Sequence, residues 1–398
     1  MPHIKAKRIE SLLLLGLILF IPLNHISLPI FGSFYSLYIL ISMIILLLRN
    51  INNIYIFDSS SPLKYFLFLC IYQLISVIWS QKKPDSFGIV FGQICLYFLI
   101  YLFSLFTYSN KTKLLLERCF IIYSFVYFFY SIQFSESQIY TNRMIISFGQ
   151  YGSIDPNEFC TYLIIPAAIA LSFFFTSKSI SIKTVLLALL FLYIYFSISA
   201  GSRGGTCAIL CTFFVILFFE SKNAFHLFIF IFAGIILVFV LSSFDFRVLF
   251  DETLLERFTY ENSFESYGGG GGRFDIWEAY KGYFFAHPLA LLFGVAPYGS
   301  VDVPYVAHNQ FLQLLMDSGL IGLSLYLLFL YNLFKIAKKK DIYIIASFIG
   351  IHISLLSLSA YSWFKIVYLF YLLVLLSFDS PNDSDDEKSS LTQDSALT

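Results

Sequence analysis

The sequence predicts an all-α polytopic membrane protein with about twelve transmembrane helices and one large extracytoplasmic loop. Three observations carry that expectation. Hydrophobic residues make up 58% of the 398 positions and charged residues only 13%, about half the charged fraction of an ordinary soluble domain. Apolar runs long enough to cross a bilayer recur from one end of the chain to the other. One polar stretch, 243–307, interrupts them. The formal net charge is zero, which removes nucleic-acid binding through a basic surface. The six cysteines (Cys70, Cys95, Cys119, Cys160, Cys207 and Cys211) lie in or beside apolar runs and read as small buried hydrophobes rather than a disulfide framework.

Taken in order, the predicted spans are 11–23, 30–48, 63–79, 86–107, 117–134, 159–176, 184–200, 205–219, 225–242, 316–334, 342–358 and 362–378. The first is short, but Pro22, Asn24 and His25 follow it instead of a small-residue cleavage site, so it reads as a span and not a signal peptide. The segments 205–219 and 342–358 are the other weak ones. The chain thereby divides into spans one to nine (1–242), the large loop (243–307), spans ten to twelve (308–378) and a tail (379–398). The loop contains Trp277 and the helix-compatible stretch 273–286, so it is expected to fold, with short helices. The tail is acidic and serine-rich, without an apolar face, and is expected to be disordered.

Basic residues of short loops orient the spans. With the N-terminus inside, the cytoplasmic side collects Lys5, Lys7, Arg8, Arg49, Lys111, Lys113 and the run Lys338–Lys340. Lys82 and Lys83 run against this bias. Arg143, Arg203, Arg247, Arg257 and Arg273 also fall outside, which points to an anionic substrate at the outer face.

Three constellations can carry chemistry there. Ser202-Arg203-Gly204-Gly205 sits in the turn between spans seven and eight. A guanidinium offers a planar fork to phosphate oxygens, and glycines let another chain or a ligand approach the backbone. The plain alternative is an interfacial arginine that snorkels. Next come Gly268–Gly272, then Arg273 and Trp277. A helix starting near Arg273 puts Arg273, Trp277 and Tyr280 on one face, either as a binding surface for a charged, sugar-bearing substrate or as an amphipathic helix on the membrane. The third is His308-Asn309, nine residues, Gly319, two residues, Gly322. On one continuous helix, His308, Leu312, Leu315, Gly319 and Gly322 share a face, with Asn309, Gln313 and Asp317 beside it. Close packing at the glycines holds His308 at the surface, where an imidazole titrates near neutrality and can take a proton from a hydroxyl. His25, His287 and His352 have no such company and read as structural. Asp155-Pro156-Asn157 reads as a helix-entry turn with Asp or Asn as cap. No His/Cys/carboxylate cluster stands at metal-ligand spacing and no nucleotide-type glycine loop is present, so neither a cofactor nor a metal is expected.

These residues resemble the O-antigen ligase and O-antigen polymerase superfamily of bacterial membrane glycosyltransferases. His308-Asn309…Gly319…Gly322 fits the ligase signature at every position. Ser202-Arg203-Gly204-Gly205 is similar to the family's arginine motif. Gly272-Arg273…Trp277…His287-Pro288…Gly294 resembles its large-loop pattern, and Asp155-Pro156-Asn157 also recurs among its members. The likeness covers about residues 150–335, in order. It implies a GT-C-like membrane fold and a metal-independent enzyme in the bacterial inner membrane, with its active site facing the periplasm. The implied donor is an undecaprenyl-diphosphate-linked glycan, the acceptor a glycan or lipid A–core. A chain-length regulator or another polysaccharide-assembly protein is the implied partner beside membrane lipid. Carried over, His308 is the general base and Arg203 and Arg273 bind the diphosphate. Asn309 orients the imidazole, and Ser202, Trp277, Gly319 and Gly322 support the site. The resemblance leans towards a polymerase, with a ligase as the alternative and a protein O-glycosyltransferase or lipid-glycan transporter further off. A transporter predicts ionisable residues deep within spans, whereas the charges here gather at span ends.

Overall fold

The computed structural model describes residues 4–29, 32–51, 61–137, 144–220, 273–302, 306–358 and 365–379. Among these, six helices are long and apolar enough to cross a membrane. They are α4 (Lys83–Ser104), α5 (Asn110–Phe134), α6 (Pro156–Thr176), α7 (Ile180–Ser199), α8 (Arg203–Glu220) and α11 (Gln310–Ala337). Shorter apolar helices are α1 (Arg8–Leu19), α2 (Phe34–Asn50), α3 (Leu63–Ser76), α12 (Ile342–Leu355) and α13 (Lys365–Leu375). Two polar-loop helices, α9 (Arg273–Ala286) and α10 (Pro288–Phe293), lie between α8 and α11 in sequence. The predicted span 225–242, Arg143, Arg247, Arg257, the glycines at 268–272 and the tail beyond Asp379 lie outside the described residues.

The helices start and stop where local chemistry tells them to. Ser33 caps α2 by accepting from Ser36 N, Ser109 caps α5 from Thr112 N, and Ser179 caps α7 from Ile182 N, each satisfying a backbone donor that a helix start leaves unpaired. Asp155 does the same for α6, and Pro156 follows at the first helical position, where its missing N–H costs nothing. The bounds of the first predicted span are corrected here: α1 ends at Leu19, and a 3-10 turn, Ile21–His25, follows it.

At the centre stands α6. Of its best 18-residue window 78% is buried inside the protein, against 33% for α7. It packs on α5, α7, α8 and α12. The outer surface of the bundle is apolar: Leu48, Ile132, Ile180 and Val185 are 70%, 65%, 77% and 68% exposed. Such a continuous apolar exterior fits a hydrocarbon solvent and not water. The cysteine reading needs correction in the same terms. Cys70, Cys119 and Cys160 are buried, but Cys207 is exposed and Cys211 half-buried, because that face of α8 is turned outward, and Cys95 is half-buried on α4, where it lines a cavity.

Two small sheets mark the two ends. A parallel sheet of β1 (Ile4–Lys5), β2 (Phe106–Tyr108) and β6 (Ser377–Phe378) ties together the start of α1, the α4–α5 connection and the end of α13. The ion pairs Arg49–Glu10 (2.9 Å) and Lys113–Asp341 (2.5 Å) belong to this end. An antiparallel sheet of β3 (Ser135–Ser137), β4 (Met144–Ser147) and β5 (Ser153–Ile154) leads into the start of α6 at the opposite end. There the starts of α6, α8, α11 and α13 and the end of α12 meet.

Candidate active site

Ser202 sets the start of α8. Its hydroxyl accepts from Gly205 N (3.0 Å) and donates to Asn157 Oδ1 (2.7 Å), so a helix cap doubles as the link between α8 and α6. Asn157 N in turn donates to Asp155 Oδ1 at 2.8 Å. Arg203 is therefore the first residue of a helix whose entry is locked to its neighbour. The two glycines that follow serve packing. A Cβ at Gly204 would lie 2.2 Å from Ser357 Oγ, and one at Gly205 would lie 2.3 Å from Cys160 Cβ. This corrects the ligand half of the sequence reading: what approaches these glycines is the protein itself, from α6 and the end of α12.

Ser357 also receives Arg273, whose Nη2 donates to its carbonyl oxygen at 3.2 Å. The residue that presses on Gly204 thus anchors the second arginine, while Arg203 itself lines a groove on the outward face of α8 with Cys207, Cys211 and Phe214. From Arg273 the helix α9 makes contact every turn along a single face. Trp277 Nε1 donates to Ala307 O (2.8 Å), and Tyr280 hydroxyl donates to Gln313 Oε1 (3.0 Å). Burial, with Asp317 nearby, pushes the Tyr280 hydroxyl well above its ordinary value, so it remains a donor at any physiological pH. Gln313 accepts a second bond from Ala307 N (2.9 Å) and donates to Asp317 Oδ1 (3.0 Å). Ala307 is held on both sides, by Trp277 and by Gln313, and the next residue is His308.

His308 is not part of a helix. Its φ is +48°, in the left-handed region that few side chains adopt. Asn309 is the N-cap of α11, accepting from Phe311 N (3.0 Å) and Leu312 N (3.1 Å). The side-chain oxygen of the residue expected to orient the imidazole thus holds the helix end. The expected continuous helix from His308 to Gly322 is corrected twice: α11 starts at Gln310, and Gly319 interrupts it with φ 61° and ψ −168°. A Cβ at Gly319 would meet Leu292 O at 2.2 Å, and one at Gly294 (φ +71°) would meet Asp317 O at 2.4 Å. The two glycines let the turn after α10 lie backbone to backbone against the kink. Val295 N donates to Met316 O there at 2.9 Å. Gly322 lies apart from this contact, near Leu69 of α3, 3.4 Å from the place of its Cβ.

The structure thus links Arg203, Ser202, Arg273, Trp277, His308 and Asn309 through a chain of contacts at one end of the bundle. Residues 186–327 match the family model described as O-antigen ligase. That segment starts in α7 and ends in α11, and it contains every residue just linked. The resemblance to the O-antigen ligase and polymerase superfamily is supported over this segment. The match supports an O-antigen ligase/polymerase-like function and a glycosyltransferase-like enzyme in general terms. No curated protein matches the chain.

Gln313, Ser357 and Asn157 are the supports that sequence reasoning did not assign to the site. Gln313 and Asn157 were visible only as polar residues beside a motif, and Ser357 carried no signal. His25 is distinct from all of these. It shares a hydrogen bond with Tyr127 hydroxyl (2.9 Å), and burial together with the Lys365 cation lowers its pKa to about 3, so it is a neutral structural imidazole.

Proposed function

We propose that this chain is a metal-independent, inverting glycosyltransferase that moves a glycan from an undecaprenyl-diphosphate-linked donor to an acceptor hydroxyl at the periplasmic face of the inner membrane. Its assignment is O-antigen or polysaccharide polymerase. The observation that supports the reading is that Arg273 and Gly204, the neighbour of Arg203, both meet Ser357, while Trp277 on the same helix as Arg273 holds the residue before His308.

In the proposed reaction His308 takes the proton from the acceptor hydroxyl. The acceptor oxygen then bonds to the anomeric carbon of the donor, and the bond from that carbon to the diphosphate oxygen breaks. The electron pair leaves with the lipid diphosphate. Arg203 and Arg273 offset the charge that develops on it, the part electrostatic preorganisation plays in such displacements. The folded part of the 243–307 loop, α9 and α10, carries Arg273 and closes over the start of α11. The lysine-rich end with Lys113 and Lys338–Lys340 is assigned to the cytoplasm by the positive-inside rule.

His308→Ala is expected to abolish glycan transfer while the protein stays folded in the membrane. His308→Asn is the cleaner control, since asparagine tolerates the left-handed backbone but cannot act as base. Retained transfer in either variant overturns the base assignment. A chromosomal deletion separates the acceptors: single-repeat lipopolysaccharide marks a polymerase, bare core marks a ligase, and loss of glycan from periplasmic proteins marks a protein O-glycosyltransferase.

A further inference from the structure

The first turn of α6 has two sides. Asn157 binds Ser202 on one of them. Glu158, only 7% exposed, lines a separate cavity of about 700 Å³ together with Lys365. That volume is typical of a small-ligand site, and its lining changes character with depth. At the end shared with the candidate active site it is polar: Asn24, Ser33, Ser36 and Ser153 line it. Deeper, along α2 and α4, it becomes Ile39, Met43, Phe91 and Leu96. Gly88 and Gly92, one turn apart on α4, also line the cavity, and a Cβ at either would meet nothing within 4 Å.

Lys365 marks the polar end. Its Nζ donates to Ser36 Oγ (2.9 Å), Ser33 Oγ (3.4 Å) and Asn24 Oδ1, and the Glu158 carboxyl is near enough to act on it electrostatically. A buried ammonium and a buried carboxyl in an apolar bundle are costly, and such groups are characteristically functional. A polar pocket with a cation at one end and a hydrocarbon-lined slot running inward has the profile of a lipid, head and chain.

We propose that this cavity is a second lipid site, taking one amphiphile whose phosphate headgroup lies at Lys365 and whose chain runs between α2 and α4. It is separated from the arginine corner by the first turn of α6. The headgroup's hydroxyls find partners in Ser153 and Asn24, and its phosphate meets Lys365 as a point charge. The glycines of α4 leave the width that the chain fills. In the glycosyltransferase reading above, an amphiphile held here lies across the first turn of α6 from Ser202.

The test is a thermophoresis titration of the purified full chain, in neutral detergent, with short-chain phosphatidylglycerol. Lys365→Met and the slot-filling Gly92→Trp are each expected to weaken binding at least tenfold, while Lys365→Arg retains it. Gly88→Leu is a milder filling variant, in case Gly92→Trp fails to fold. Equal binding by wild type, Lys365→Met and the folded filling variant overturns the proposal. Inorganic phosphate is run in parallel. Binding of phosphate as tight as that of the lipid, and indifferent to the filling variant, overturns the lipid assignment in favour of a free-anion site. Because binding is read without glycan transfer, an empty cavity and an inactive enzyme are separate results.

Discussion

His308 owes its position to neighbours on both sides. Its left-handed φ of +48° is a conformation that costs of order 1–3 kcal/mol and persists only where the surroundings enforce it. Here Trp277 and Gln313 grip Ala307 from one side, and the Asn309 cap starts α11 on the other. Trp277→Phe removes the bond to Ala307 O and leaves a buried carbonyl short of a donor, at about 1–1.5 kcal/mol. We expect transfer to fall about tenfold while the KM for donor is unchanged, because the substitution loosens the proposed base and leaves the bond of Arg273 to Ser357 in place. A fall in donor affinity alone would contradict this. His25 makes the opposite case, an imidazole kept neutral. Its pKa is about 3 when folded and near 6.5 when unfolded, so the stability it contributes is complete above pH 6.5. That stability is lost as pH falls towards 3, at about 1.4 kcal/mol per pH unit. His25 lies between Tyr127 and Tyr162 with Lys365 as the facing cation, and His25→Gln should flatten the decline of Tm between pH 6.5 and 4.

At the scale of elements, the decisive join is the α10 turn against the kink of α11. It is built from backbone contacts and has little tolerance for side chains. Gly319→Ala places a methyl 2.2 Å from Leu292 O at a φ of +61°. The backbone conformation, φ 61° with ψ −168°, is one that essentially only glycine adopts and costs an L-residue of order 1–3 kcal/mol, and the collision adds to it. The expected result is a lower Tm and new protease sensitivity near α9 and α10, with the rest of the bundle intact. Tyr72 hydroxyl and Trp79 Nε1 support the same turn by donating to Phe293 O (2.7 Å) and Gly294 O (3.2 Å). Tyr72→Phe should cost about 1 kcal/mol, read as faster amide exchange at 290–295 and not as a global loss. The arginines belong to this scale too, since each is the first residue of a helix. Arg203→Ala or Arg273→Ala should weaken competition by undecaprenyl diphosphate, and unchanged competition would remove them from the donor site.

On the scale of the whole molecule, the distribution of charge over two ends sets orientation. The end with Arg49, Lys113 and Lys338–Lys340 carries most of the lysine and is tied by the parallel sheet. The opposite end carries Arg203, Arg273 and His308. In a cysteine-free background, a cysteine at position 83 should react with a membrane-impermeant maleimide from outside intact cells, and one at position 339 only after permeabilisation. The reverse pattern would invert the topology and move the candidate site to the cytoplasm.

Apolar helices and helix caps were legible because each depends on neighbours within one or two turns. Hydrophobic runs of bilayer length announce helices; Asp155 before Pro156 announces the entry to α6; Arg273, Trp277 and Tyr280 at helical spacing announce one working face. What a glycine is for could not be read in the same way. Gly204, Gly205 and Gly319 look alike in sequence, yet two admit side chains of α6 and the end of α12 and one admits a backbone turn. The kink at Gly319 also breaks the 3.6-residue periodicity on which a continuous helix was expected. Ser357 receiving Arg273, Gln313 holding Ala307, and the Lys365 cavity all join residues far apart in the chain or depend on a turn outside any helix. Local composition specified a membrane-spanning helical chain with arginines and a histidine at one end. Only packing decided that Ser357 and Ala307 tie their neighbourhoods together, because long-range contacts are chosen by the shapes that fit and not by the pattern of any one segment.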